Sequence, residues 1–219
     1  MGQVHMITTN HFMYQLRKKL INMSADTLIV MLMRSGFTFD PKIHQKLINV
    51  KTNTGSIALT WAAADKSVSR GSGSFITDGF VVGNRCTSDD TSNAGPLTIA
   101  SVSALKIIFN EAVVNSSATK TLTSDDELAT NYGYTQSTMA LTTPVVTEDN
   151  TNNRVDTTFD DVVWIATGGS IGPSAAVLIY DNNVSDKVIV MGGRFTSEQT
   201  ATTGNPFTIA DIIERGVNY

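Results

Sequence analysis

Apolar positions along this chain fall mostly into short, β-branched runs, and they alternate or cluster rather than recur with a helical period. The stretch from Thr157 to Thr196 sets the pattern. It holds the runs Val162–Ile165, Ala175–Tyr180 and Val188–Met191, separated by Gly168–Pro173 and by Asp181-Asn182-Asn183. Runs of this length, bounded by Gly, Pro, Asn and Asp, predict strands joined by turns. Helical spacing is confined to the N-terminal segment, where Phe12, Leu16 and Leu20 (with Met13) recur at i, i+4, i+8. Gln15, Arg17, Lys18 and Lys19 fall on the other side, and Thr9 or Asn10 can cap the start. Thr27–Met33 predicts a buried strand. Gly36–Asp40 alternates with Phe37 and Phe39 on one face, and Pro41 opens a short helix through Leu47.

The texture changes at Lys51. Residues 51–55 and 115–126 are polar and turn-rich, and they predict two hinges. Between them short strand candidates follow in quick succession: Ser56–Trp61, Ser67–Ser69, Phe80–Val82, Leu97–Val102 and Leu105–Phe109. Residues 55–120 are therefore expected to form a small inserted β-barrel. Strand candidates resume at Thr138–Thr147, Arg154–Phe159, Val162–Ile165, Ala175–Tyr180, Lys187–Phe195 and Phe207–Ile213. The expectation is a mainly β protein: an N-terminal helix or arm over 1–23, then an antiparallel β-sandwich built from 24–54 and 121–219 and interrupted by the barrel.

Composition agrees with this picture. Of 219 residues, 41% are hydrophobic but only 16% are charged, against the usual roughly 25%. Thr, Ser and Asn take the place of charge, which suits strand faces that are polar or covered by neighbours. A net charge of -4 gives no electrostatic footprint for nucleic acid. No apolar run reaches the roughly 20 residues of a membrane span, and residues 1–23 lack the clean apolar core of a signal peptide. Cys86 is the single cysteine, so no internal disulfide forms, and a buried, inert thiol in a cytoplasmically made protein is expected.

Little reaction chemistry is legible. Gly168-Gly169-Ser170-Ile171-Gly172 formally matches the G-x-S-x-G nucleophile elbow. The elbow requires a helix after the serine and a later histidine; here Pro173 and a β-branched run follow, and His5, His11 and His44 all come earlier. A Gly-rich turn is the favoured reading. One cysteine and three scattered histidines offer no zinc spacing. The acidic pairs lack the D-x-D-x-D-G calcium loop, and Glu148–Asn153 is the first place to seek a structural cation. A glycosidase carboxylate pair leaves no local signature and has a low prior here. The reading is of a chain without enzymatic activity, metal or cofactor.

A series of phrases then carries a resemblance. Arg34–Asp40 (RSGFTFD), Asp126–Gln136 (DELATNYGYTQ), Glu148–Arg154 (EDNTNNR), Phe159–Trp164 (FDDVVW), Gly168–Pro173 (GGSIGP) and Thr200–Ile209 (TATTGNPFTI) occur in that order. The series resembles a family of tailed-bacteriophage virion proteins described as structural. Gly73–Gly83 and Ser92–Val102 resemble a small β-barrel module found inserted in phage particle proteins, with a departure at Gly83-Asn84-Arg85-Cys86.

The resemblance implies a non-enzymatic building block of the particle, made in the host cytoplasm and located in the virion. The first expectation is a capsid decoration (cement) protein. It would bind the major capsid protein and copies of itself in a homo-oligomer, with no nucleic acid or membrane partner. A tail, neck or collar component, contacting tail or neck proteins, is the alternative. A carbohydrate-binding accessory domain stacking sugars on Trp61, Tyr132 and Tyr134 is a third. Expected assembly contacts are the helix residues Phe12, Leu16 and Leu20, with Phe37, Tyr132, Tyr134, Ile171 and Pro173 on loops. On this view, loss of residues 1–22 harms assembly more than folding.

Overall fold

The computed structural model describes residues 6–142, 144–151 and 154–215. The chain divides into two compact units, one made of residues up to Leu47 together with those from Glu127, the other of Ile48–Asp126. The first unit begins with strand β1 (Ile7–Thr8) and helix α1 (Asn10–Arg17). Thr9 caps the helix: its Oγ1 accepts the Phe12 N–H at 3.1 Å and donates to the Ile189 carbonyl at 2.6 Å. The helix stops at Arg17 because Lys19 takes a left-handed conformation (φ 58°), so Leu20 lies beyond it and is 56% exposed. Phe12 is fully buried (0%) in the core of this unit. The N-terminal segment is thus built into the core of this unit, so its loss should harm folding directly, against the expectation that assembly would suffer more.

Strand β2 (Leu28–Arg34) buries six consecutive residues, as its unbroken apolar run predicts for a strand covered on both faces. The expected strand at Gly36–Asp40 and helix from Pro41 do not form. Phe37 and Phe39 instead pack on the buried His44 ring, with centroids at 5.0 and 6.1 Å. His44 Nδ1 accepts the Asp40 N–H and Asp40 Oδ1 accepts the Lys42 N–H, so side chains capture the donors a helix or strand would use.

The second unit carries eight strands: β3 (Lys51–Asn53), β4 (Ile57–Ala62), β5 (Ser67–Arg70), β6 (Arg85–Ser88), β7 (Leu97–Val102), β8 (Lys106–Phe109), β9 (Ser116–Lys120) and β10 (Leu122–Asp125). They pair antiparallel in the order β3-β10-β6-β7-β8-β5-β4-β9 around one core. Alternation places the residues: Leu59 and Trp61 point inward from β4, Ile107 and Phe109 from β8. Trp61 stacks on Phe109 at 5.7 Å, and Cys86 is buried with them. Both presumed hinges are strands. Their polar residues are held by specific bonds: Thr54 Oγ1 accepts the Leu122 N–H at 3.0 Å, and the Thr121 N–H donates to Asp89 Oδ1 at 2.9 Å. Phe80–Val82 is not a strand; Phe80 is a buried residue of a turn closed by its N–H on Phe75 O.

The chain then returns to the first unit with β11 (Met139–Ala140), β12 (Val145–Asp149), β13 (Arg154–Thr158), β14 (Val162–Ile165), β15 (Ile171–Asp181), β16 (Ile189–Ala201), β17 (Pro206–Ile209) and β18 (Ile213–Arg215). A five-stranded sheet, β1-β16-β15-β2-β11, provides the largest share of the core. A three-stranded sheet, β12-β13-β18, and the pair β14-β17 complete a sandwich-like, mainly β unit in which all pairings are antiparallel. Tyr134 pins this core: its hydroxyl accepts the Leu32 N–H at 3.0 Å and donates to Glu127 at 2.8 Å.

Two outcomes are expected. Phe12→Ala should cost about 3–5 kcal/mol of stability, read by denaturant unfolding, because it empties a fully enclosed site. Residues 48–126 expressed alone should fold, with β-type circular dichroism and one cooperative melt, because they own a complete core.

Candidate assembly surface

The candidate contact residues divide sharply by burial. Phe12, Phe37, Tyr134 and Ile171 are buried within their own unit, so each is removed from the contact set: its apolar surface is spent inside the subunit. Leu16 packs partly against the same core. Leu20, Tyr132 and Pro173 remain exposed.

Tyr132 sits in a tight turn closed by the Tyr134 N–H on Asn131 O, with Tyr132 and Gly133 both at positive φ. Its carbonyl accepts the Thr167 N–H at 2.9 Å. Its ring lies so close over Gly169 that a Cβ there would overlap it, and Gly133 backs onto the Ile165 carbonyl with no room for a side chain. Thr203 Oγ1 donates to Gly169 O at 2.9 Å, and the Gly204 N–H reaches Ala166 O at 2.7 Å. Three segments distant in sequence therefore meet at one place.

The surface they make presents Tyr132 (47% exposed), Ile165 (51%) and the exposed Pro206, which is paired with Ile165 across β14-β17. It is uncharged, with three apolar side chains set among exposed Asn131, Thr167, Thr203 and Asn205, and it is tied down by backbone hydrogen bonds, so covering it would cost little order. Ile165 was not expected as a contact. The signal was there in the alternation of β14, where Val162 and Trp164 point inward and Val163 and Ile165 outward.

Ser170 of the G-x-S-x-G stretch leads directly into β15 and not into a helix. Trp61 and Trp164 are both core residues; Trp164 packs edge-on against Tyr134 at 5.5 Å. Among the described residues no three His, Cys, Asp or Glu side chains converge as a metal site. In the Glu148–Asn153 loop, Asp149 is engaged by Arg154 at 3.1 Å, and Asn152 and Asn153 lie outside the described residues. No helix among the described residues is long and apolar enough to cross a membrane.

A second feature lies on the three-stranded sheet. Register sets Val146, Thr157 and Glu214 side by side across β12, β13 and β18. With Val155 they form one wall of an open groove of about 430 Å³, and Leu16, Lys19, Ile21, Asn22 and Met23 form the other. Glu214 is only 5% exposed and its Oε1 has no hydrogen-bond partner. Burial, reinforced by the Asp156 charge, pushes its carboxyl up to about 7. Asp156 itself is paired with Arg154 at 3.0 Å. The groove thus offers a carboxyl that changes charge near neutrality inside a mostly apolar wall.

Because the folded state holds this proton more tightly than the unfolded chain, the stabilisation is complete below the ordinary glutamate range and is lost as pH rises towards about 7. Glu214→Gln should therefore raise the melting temperature above pH 7 and leave it unchanged only below the ordinary glutamate range, where both side chains are neutral in the folded and the unfolded chain; thermal scans across pH read this directly. No protein-family model, curated protein or solved structure matches this chain.

Proposed function

We propose that the chain is a structural, non-enzymatic protein of a tailed-bacteriophage particle, and specifically a decoration protein that binds the outer shell in many copies. One observation carries the reading. Of the phrases that resemble phage virion proteins, Asp126–Gln136, Gly168–Pro173 and Thr200–Ile209 converge on the Tyr132–Ile165–Pro206 surface, joined through Gly169, Thr167 and Ala166. The segments that carry the resemblance thus build the rigid, uncharged patch best suited to a partner. Shell assembly sums many modest contacts, and symmetry multiplies each one.

The low charge and the Thr, Ser and Asn content support the same reading, since large covered surfaces avoid unpaired charge. The partners proposed are the major capsid protein and sister copies. A tail or neck position uses the same surface chemistry with a different symmetry. The sugar-stacking reading loses support, because Trp61 and Tyr134 are enclosed and only Tyr132 of its three aromatics is exposed.

Imaging of intact particles at subunit resolution tests the proposal. Copies distributed over the icosahedral shell are expected; a ring at one vertex would reassign the protein to the neck or tail. The double substitution Tyr132→Ser with Ile165→Asp should leave the fold intact, since both side chains are exposed, and lower particle occupancy about tenfold or more. Unchanged occupancy would remove this surface from the assembly.

A further inference from the structure

Apart from the assembly surface and the groove, one pair of acidic side chains is brought together with an oxygen left unsatisfied. Asp181 ends β15 and is fully buried (0%). Its Oδ1 accepts the N–H groups of Asn183 at 2.7 Å and Val184 at 3.4 Å, while its Oδ2 has no donor at all. Pairing of Asp181 with Leu28 across β15 and β2 draws in the segment just before β2: the Asn182 N–H reaches Thr27 O at 2.9 Å and the Thr27 N–H reaches Asn183 Oδ1 at 2.9 Å, which sets Asp26 beside the Asp181 carboxyl. Asp26 Oδ2 is already taken by the Asn22 N–H. Asp181 therefore gives one oxygen to its turn and leaves the other buried and unmatched beside Asp26.

Two carboxylates this close cannot both stay ionised without a positive partner. Burial first, and then the Asp26 charge, push the Asp181 carboxyl above its ordinary value. The neighbouring cations are engaged on other oxygens. Lys187 Nζ donates to the carbonyl and Oδ1 of Asn182, and Lys46 pairs with Asp186 at 2.7 Å, with His11 on the same carboxylate at 3.8 Å. What the gap lacks is a small, hard positive charge.

We propose that Asp26 and Asp181 bind a divalent cation, calcium by the chemistry of the site, which bridges the two carboxylates and fastens the segment Ile21–Thr27 to the turn between β15 and β16. The donors are oxygens only: two carboxylates, with turn carbonyls and water to complete the shell. Histidine or cysteine, which would favour zinc or copper, is not among them. Irregular turns suit the flexible coordination of calcium better than the strict octahedron of magnesium. With two protein carboxylates the dissociation constant should fall at about 10⁻⁴–10⁻³ M, the range of weak extracellular sites. This inference is independent of the assembly reading and of the Glu214 groove.

The test is a thermal melt of the full chain near neutral pH, first stripped with chelator and then titrated with calcium chloride. Calcium at tenfold its dissociation constant should raise the midpoint by about 3–6 °C. Asp181→Asn keeps the Oδ1 acceptor for Asn183 and Val184 and removes the second charge. It should abolish the calcium response, and Asp26→Asn, at a half-buried position, should do the same. A wild-type chain that ignores calcium overturns the proposal, as does a calcium response that survives in either variant. Stabilisation of the wild type by acid, together with indifference to calcium, would show that the pair holds a shared proton instead, and would equally overturn it.

Discussion

The pairing of Leu28–Arg34 with Ser174–Asp181 is the constraint on which the rest of the first unit hangs. It joins residues about as far apart in sequence as Met33 and Ser174, whose carbonyl and hydroxyl bond at 2.9 Å across 141 positions. β2 has no other long partner among the described residues: on one side it meets β15, on the other the two residues of β11 and an isolated bridge from Met33 to Glu127. Its six buried side chains gain their burial energy, about 1.5–3 kcal/mol for each large apolar group, only once β15 is in place. β16 and β1 then build outward from β15, and α1 follows through the Thr9 cap on Ile189. Long-range closure of this kind makes such a domain slow to assemble and hard to unzip.

That dependence explains which parts of the fold the sequence reveals. Where a strand is buried on both faces, as in β2 and the middle of β15, an unbroken run of Val, Ile, Leu and Met leaves no other reading. Where one face is wet, as in β4, β8 and β14, alternation serves equally well. Polar strands are invisible to either signal. β9 and β10 are Ser-, Thr- and Asp-rich, and they are strands because neighbours satisfy their backbones, β4 beside β9 and both β3 and β6 beside β10. The loop after β2 deceives in the opposite sense: Phe37 and Phe39 alternate, yet His44 collects them and holds the Asp40 N–H. A contact across a loop has no period to be read.

The surface was legible as two loops and not as one site. Tyr132–Tyr134 and Gly168–Pro173 stand out by their glycines and aromatics, but only the folded chain shows Tyr132 seated on Gly169. Burial then sorts residues that look alike in sequence. Tyr132 and Tyr134 are two positions apart; one faces solvent and the other bonds to Leu32 and Glu127 inside the core. The Glu214 groove and the Asp26–Asp181 pair left no trace in sequence, because their members come from segments far apart in the chain that only strand register and loop packing bring together.

The second unit enters and leaves through strands that lie side by side: Lys51 is the register partner of Asp125, and the two side chains pair at 3.3 Å. Its two ends therefore occupy nearly the same point in space. A segment with coincident ends can be spliced into a host loop at little cost in chain entropy, since it spans no more distance than the residues it replaces. The first unit need never notice the length of what it carries. Such a junction lets the inserted unit be replaced whole while the pairing of β2 with β15 stays unaltered.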